Sequence, residues 1–198
     1  PLWSRGLGDV YKRQVNKYVP VNDISSLVAF AKNHPDELSF ASSGIGTSIH
    51  LSGELFAQLT KTKIRHIPYK GRAQAIPDLI GGRVQMSFDN LTSALPLIKS
   101  GDLKALGVTS SQRSTYAPDI PTIAESSIPE LKQFNVTSWF SLMGPAGMSK
   151  DEIQRIATEV KRVFQLPEVK DKLVSMGLDP NPQGPQALNK LIQAESKT

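Results

Sequence analysis

The chain contains no cysteine, which removes disulfides, thiolate metal ligands and cysteine nucleophiles together. No apolar run approaches the ~18 residues that a bilayer-spanning helix needs. Aromatics make up only 7% of residues, and no basic stripe with interleaved aromatics marks a nucleic-acid face. The 23 Lys and Arg outnumber the 18 Asp and Glu, but they are scattered, so the surplus mildly attracts anionic solutes. Familiar catalytic and nucleotide signatures are missing as well. The Gly-x-Gly at 44–46 has no third glycine three residues on and no Gly-Lys-Ser/Thr after it, which excludes a dinucleotide fingerprint and a phosphate loop. No Gly-x-Ser-x-Gly elbow occurs, and Ser48 and His50 of a nominal Ser48, His50, Asp89 triad point about 200° apart on a helix. A metal site from His50, His66 and Asp89 lacks a close-spaced pair such as His-x-x-x-His.

What is present is an ordinary α/β composition, 39% hydrophobic over 198 residues, enough for one large domain or two small ones. The most informative stretch is residues 39–51, which reads as a short strand, a glycine turn and a helix running to about Lys61. Leu51, Leu55, Phe56 and Leu59 fall at helical spacing and predict its buried face. Gly44 and Gly46 admit backbone angles that other residues resist. Thr47 and Ser48 are good N-cap residues, leaving amides near Ser48 to His50 without intrahelical partners. The helix dipole and the hydroxyls of Ser42, Ser43, Thr47 and Ser48 add to a corner that favours an anion, and we expect a carboxylate there. On that reading Thr47→Val weakens acid binding and leaves the fold intact.

Along the chain, Pro1–Gln14 has no period of 2 or 3.6 and no central apolar core of a secretory signal; it reads as a disordered or non-native leader. From Asn22 the pattern is regular. Asn22 or Asp23 caps a helix with Ile24, Leu27, Val28 and Ala31 on one face. Strands follow at Leu38–Ala41, Ile64–Tyr69, Val84–Phe88, Leu103–Thr109 and Val136–Met143. Between them, a short helix around Ile76, Leu79 and Ile80 contains an awkward Pro77, and a second carries Leu91, Ala94, Leu95 and Ile98. Ser149 and Glu152 form a capping box opening a helix to Phe164; Pro167 starts another, closed by Gly177, and Gln186–Glu195 begins a last one. Strands alternating with helices predict βαβ units and a mainly parallel sheet, with ligands beyond the carboxyl ends of the strands. Ser42–Ser48, Tyr69–Arg72 and Asp89-Asn90 are the polar strand ends, and Thr109–Ser111 is a fourth.

Seven ordered segments resemble one family. They are Ala-Ser-Ser-Gly-x-Gly-Thr-Ser-x-His-Leu at 41–51, His-Ile-Pro-Tyr-Lys-Gly at 66–71 and Asp-Leu-Ile-Gly-Gly-Arg-Val-Gln at 78–85. The others are Phe-Asp-Asn-Leu at 88–91, Leu-Gly-Val-Thr-Ser at 106–110, Pro-Asp-Ile-Pro-Thr-Ile-Ala-Glu at 118–125 and Ser-Trp-Phe-Ser-Leu-Met-Gly-Pro-Ala-Gly at 138–147. Together they are similar to the extracytoplasmic solute receptors of tripartite tricarboxylate transporters, the Bug proteins, from about Val19 to Glu195.

The resemblance implies an α/β fold of the type II periplasmic-binding-protein kind, here one near-complete α/β domain plus part of a second. It implies residues 1–21 as a non-native or disordered leader into the domain, 22–137 as the second, ligand-binding domain, and 138–198 as a partial return into the first. A fragment truncated at both ends, without its signal sequence, is the corresponding expectation. The implied function is capture of a small carboxylate in the periplasm and its delivery to the membrane subunits of a tripartite transporter by a monomeric receptor. No enzyme activity, cofactor, metal or nucleic-acid partner is expected. Matched residue by residue, Ser43, Gly44, Gly46, Thr47 and Ser48 fall on the loop that holds a ligand carboxylate, and His50 falls in its motif. Asp89 accepts from a ligand or caps its helix, Asn90 follows it, Tyr69 packs or binds, and Trp139 is core. The rival readings are a ligand-sensing domain of a regulatory protein with the same two-lobed fold and a structural domain with no ligand.

Overall fold

The computed structural model describes residues 8–16, 19–115, 117–175, 178, 180 and 182–195. The chain forms two compact units, Val10–Thr137 and Pro1–Asp9 with Ser138–Thr198.

Strand β1 (Gly8–Asn16), which belongs to the first unit from Val10 on, precedes helix α1 (Ile24–Asn33), β2 (Ser39–Ser42) and α2 (Ser48–Thr60). Then come β3 (Arg65–Pro68), α3 (Arg72–Ile80), β4 (Met86–Asn90), α4 (Leu91–Lys99) and β5 (Leu103–Val108). Local chemistry explains most of these boundaries. The Asp23 carboxylate accepts from the Ser26 amide at 2.7 Å, and Ser26 Oγ accepts from the Asp23 amide at 3.1 Å, so α1 opens on a reciprocal cap. Its buried residues are Ile24, Leu27, Val28 and Ala31, the stripe that the spacing predicts.

Of the face predicted for α2, Phe56 is buried and Leu55 and Leu59 pack partly buried against the core, but Leu51 departs. Leu51 is 55% exposed, whereas Ser52, Gly53, Phe56 and Thr60 are buried. A Cβ on Gly53 would lie 2.3 Å from Phe40 Cε2, so close approach of helix to strand selects the glycine side, and Leu51 turns outward. Helix α3 starts at Arg72 and accommodates the awkward Pro77 inside it.

The sheet order is β3-β2-β4-β1-β5. β2 runs parallel to β3 and β4, but β1 is antiparallel to both β4 and β5, so the predicted mainly parallel sheet is mixed. β1 and β2 are joined through α1 but are not neighbours, since β4 lies between them, so that connection does not impose a parallel pair. Residues 8–14, expected to lack regular structure, thus belong to a strand, because partners on both sides supply order that local patterning does not; residues 1–7 lie outside the described residues.

Both faces of the sheet are covered around β2. Phe40 packs into a core with Leu27, Phe56, Phe88 and Phe134, while its neighbour Ala41 joins Ala75 and Val84 in a separate cluster. Adjacent strand residues point to opposite faces, so β2 is buried on both.

Behind β5, Glu125 caps its own 3-10 turn and is gripped by Arg113, whose Nε donates to both carboxylate oxygens at 3.0 Å. That pairing and the Thr122 amide hold its carboxyl down to about 2, from an ordinary 4.5. A depressed acid contributes stability that is present above its unfolded value and is lost as pH falls through the folded one. Urea midpoints measured from pH 5 to pH 2 should therefore fall less steeply in Glu125→Gln than in the parent. Both partners are largely exposed, so added salt shrinks the difference.

In the second unit, α5 (Lys150–Phe164) opens on the expected capping box, with the Glu152 amide donating to Ser149 Oγ at 3.2 Å. α6 (Pro167–Ser175) and α7 (Pro185–Glu195) follow; the Gly177 stop lies outside the described residues. The strand predicted over Val136–Met143 is confined to β6 (Thr137–Trp139). Phe140, Leu142 and Met143 are about half exposed, so no burial rewards an extension of the pairing.

Candidate functional site

Because β3 and β4 flank β2 in parallel, the carboxyl ends at Pro68, Ser42 and Asn90 deliver three loops to one edge of the sheet. The three polar junctions singled out in the sequence therefore meet.

The glycine turn after β2 is largely self-satisfied. Gly44 and Gly46 adopt φ of 144° and 79°, in the region that favours glycine. The Gly44 amide donates to Ser42 Oγ at 3.2 Å, the Gly46 amide to His50 Nδ1 at 3.1 Å and the His50 amide to Thr47 Oγ1 at 3.3 Å. The Thr47 hydroxyl in turn donates to the Gly44 carbonyl at 2.8 Å. The His50 amide, expected to face a ligand, is thus held by the protein's own side chains like those of Gly44 and Gly46, and Thr47 acts as an N-cap and turn clamp. Its replacement by valine should cost about 1 kcal/mol of stability, contrary to the expectation of an unaffected fold. Ser48 lies at the first helical position beside this clamp.

Next to the turn is a recess of about 10 Å³ lined by Ser42, Ser43, Ile49, Arg72 and Asp89 among others. It has room for roughly one water. Among the described residues, neither the Ser43 hydroxyl nor the Ile49 amide makes a hydrogen bond. Both are donors left over at the mouth of the helix.

Asp89, at the end of β4, is 4% exposed and receives Arg72 Nε at 2.5 Å. Arg72 Nη2 donates to the Ser93 carbonyl at 2.7 Å, and Asp89 Oδ1 accepts from the Asn90 amide at 2.8 Å. Burial pushes the Asp89 carboxyl above its ordinary range, outweighing the guanidinium, the Asn90 amide and the Ser93 hydroxyl, which all pull the other way. Asp89 therefore positions Arg72 rather than standing free for a ligand. Asn90 is the N-cap residue of α4 without a side-chain cap bond, and its Oδ1 is buried with no hydrogen-bond partner among the described residues.

His50 does not approach a triad with Ser48 and Asp89. Its ring lies against His66, centroids 4.1 Å apart, and both stack on Phe40. His66 Nε2 lies 2.7 Å from Ser42 Oγ, a serine–histidine contact of catalytic length. Ser42 is only 2% exposed and also bonds Gly44, so that hydroxyl is closed to substrate. Burial, and then the neighbouring His50, hold His66 below the ordinary imidazole range.

Tyr69 packs with Ala75 and Val84 and donates to Asp78 Oδ2 at 2.8 Å; burial and that bond push its hydroxyl up to about 12. The fourth junction is structural, since Thr109 Oγ1 donates to the Val136 carbonyl at 2.6 Å. Trp139 is half buried. Sequence reasoning missed Arg72 as a site residue. The available signal was a cation just after a polar strand end, opposite an aspartate at the end of another.

The chain matches the model of the family described as "Tripartite tricarboxylate transporter family receptor", TctC, over residues 13–198. It is 36% identical over 175 residues to the UPF0065 protein in the tcbD-tcbE intergenic region of Pseudomonas sp. (strain P51), covering 88% of this chain and 52% of that one. The chain thus spans about half the length of that curated relative. Among solved structures, R. palustris Rpa4515 with adipate superposes with a TM-score of 0.84 at 31% identity, covering 98% of this chain and 63% of that one. The periplasmic binding protein BugD superposes with a TM-score of 0.82 at 28% identity, covering 96% of this chain and 64% of that one.

Proposed function

The chain belongs to the tripartite tricarboxylate transporter receptor family, TctC, and from that premise we propose that it captures a small carboxylate in the periplasm for membrane subunits of a tripartite transporter. It binds its ligand without transforming it, and it works as a monomer. The observation that carries this reading is the recess where three parallel strands end. Ser43, Ile49 at a helix N-terminus and Arg72 all line it. Their donor groups suit a single carboxylate oxygen, about the size of the one water the recess admits. Gly44, Gly46, Thr47, Ser48 and His50 shape the turn that presents Ser43, while Asp89 and Asn90 hold the far side. The adipate carried by the related R. palustris structure makes a linear dicarboxylate the first ligand to try.

A thermal-shift series with adipate, and then with other small mono-, di- and tricarboxylates at pH 7, tests the proposal. A ligand at a hundred times its Kd should raise the midpoint by about 5–10 °C for a chain of this size. Ser43→Ala should weaken binding about three- to tenfold and leave the ligand-free midpoint unchanged, because it removes one donor that makes no internal bond. A flat response to every acid would overturn the reading.

A further inference from the structure

Beneath the turn lies a donor cluster that carboxylate capture does not use. His50 and Glu54 are one turn apart on α2, with Nε2 and Oε1 separated by 3.6 Å, and His66 comes across from β3. One ligand atom from each of the three lies within 4.8 Å of the others. The pair of close-spaced ligands missing from the sequence is thus present as His-x-x-x-Glu, which places both side chains on one helix face just as His-x-x-x-His does. We propose that His50, Glu54 and His66 bind one divalent transition-metal ion of the zinc class.

Two imidazoles and a carboxylate are a recurrent zinc donor set, leaving a fourth position for water. Thiolate-dependent metals are excluded by the absence of cysteine. Both rings are held in place before any ion arrives, since His50 and His66 stack on Phe40 at centroid distances of 6.4 and 4.8 Å. Glu54 is 53% exposed, so it can swing to close the ligand separations, and its side supplies the way in. His66 carries a supporting bond on its second nitrogen. With Nε2–H donated to Ser42 Oγ, and the Ser42 hydroxyl proton given to the Gly44 carbonyl, Nδ1 keeps its lone pair for the ion.

His50 adds a consequence. The Gly46 amide donates to its Nδ1, so in the metal-free protein the ring proton is on Nε2, facing Glu54. An ion that takes Nε2 moves that proton through solvent to Nδ1, the ring stays neutral, and the Gly46 amide loses its acceptor. Metal loading therefore frees a donor in the turn next to the proposed carboxylate site. The site itself stands whether or not the turn holds an acid, because its test needs the metal alone.

Untagged, chelator-treated protein should bind one Zn²⁺ per chain by calorimetry, and Co²⁺ should give visible bands of a tetrahedral site. Glu54→Gln, an exposed substitution that leaves packing untouched, and His66→Gln should each weaken Zn²⁺ at least tenfold. His34→Gln, which alters an exposed histidine paired with Glu37, should leave it unchanged. Loss of the Gly46 amide resonance from its metal-free position on Zn²⁺ addition would accompany binding. Absence of saturable binding, or equal affinity in Glu54→Gln, would overturn the proposal.

Discussion

Arg72→Met should lower stability at pH 7 by about 3 kcal/mol, the cost of leaving a buried carboxylate without its counter-charge. Asp89 is 6% exposed at its side chain, while Arg72 is 31% exposed, which puts the loss at the lower end for buried pairs. The pH dependence identifies the cause. Burial already holds Asp89 above the ordinary carboxylate range despite the guanidinium. Removing Arg72 raises it further. The folded state then binds the proton more tightly than the unfolded chain, so protonation favours folding. The deficit should be complete above the raised folded value and should shrink as pH falls through it. Urea unfolding at pH 7 and at pH 4.5, for Arg72→Met and for Arg72→Met with Asp89→Asn, makes the comparison. The double variant should recover most of the loss at pH 7. A single variant that loses under 1 kcal/mol, with no dependence on pH, would mean the pair is solvated and Arg72 is not held by it.

Phe40→Ala should cost about 3–5 kcal/mol, since Phe40 is fully buried and fills the space between α2, His66 and Phe88. The informative part is its coupling to Gly53. In the parent, Gly53→Ala drives a methyl into the Phe40 ring, whose nearest atoms would be 2.3 to 2.7 Å away, and should cost about 1–3 kcal/mol. Once the ring is gone that clash vanishes, and the alanine gains up to about 1 kcal/mol of helix propensity. Gly53→Ala should therefore change sign, from destabilising in the parent to neutral or stabilising beside Phe40→Ala. A double-mutant cycle by chemical denaturation measures this coupling, and strict additivity would contradict the close approach of α2 to β2.

The contrast between these sites explains what sequence could reveal. The α1 stripe and the Ser149–Glu152 cap were legible because both depend on neighbours within one or two turns. Leu51 was placed on the wrong side of α2 because the packing of that helix is decided by Phe40, eight residues before the helix begins, and by a glycine that carries no hydrophobic signal. Strand β1 was invisible because its order comes from partners late in the chain. At the candidate site the strand ends were legible as polar interruptions after apolar runs. Occupancy of the amides was not, since Ser42, Thr47 and His50 look like open donors until the turn folds them onto their own backbone. Arg72 was overlooked for the same reason: it acquires its role from Asp89, on an element distant in sequence.

The middle position of β1 has a bearing on assembly. Lys12 partners both Asp89 and Val108, so this strand is inserted between two made much later. High contact order of this kind slows folding, and until β1 docks, β4 and β5 each present a raw edge. A chain clipped before Gln14 would keep those edges open, making self-association through strand addition its characteristic failure.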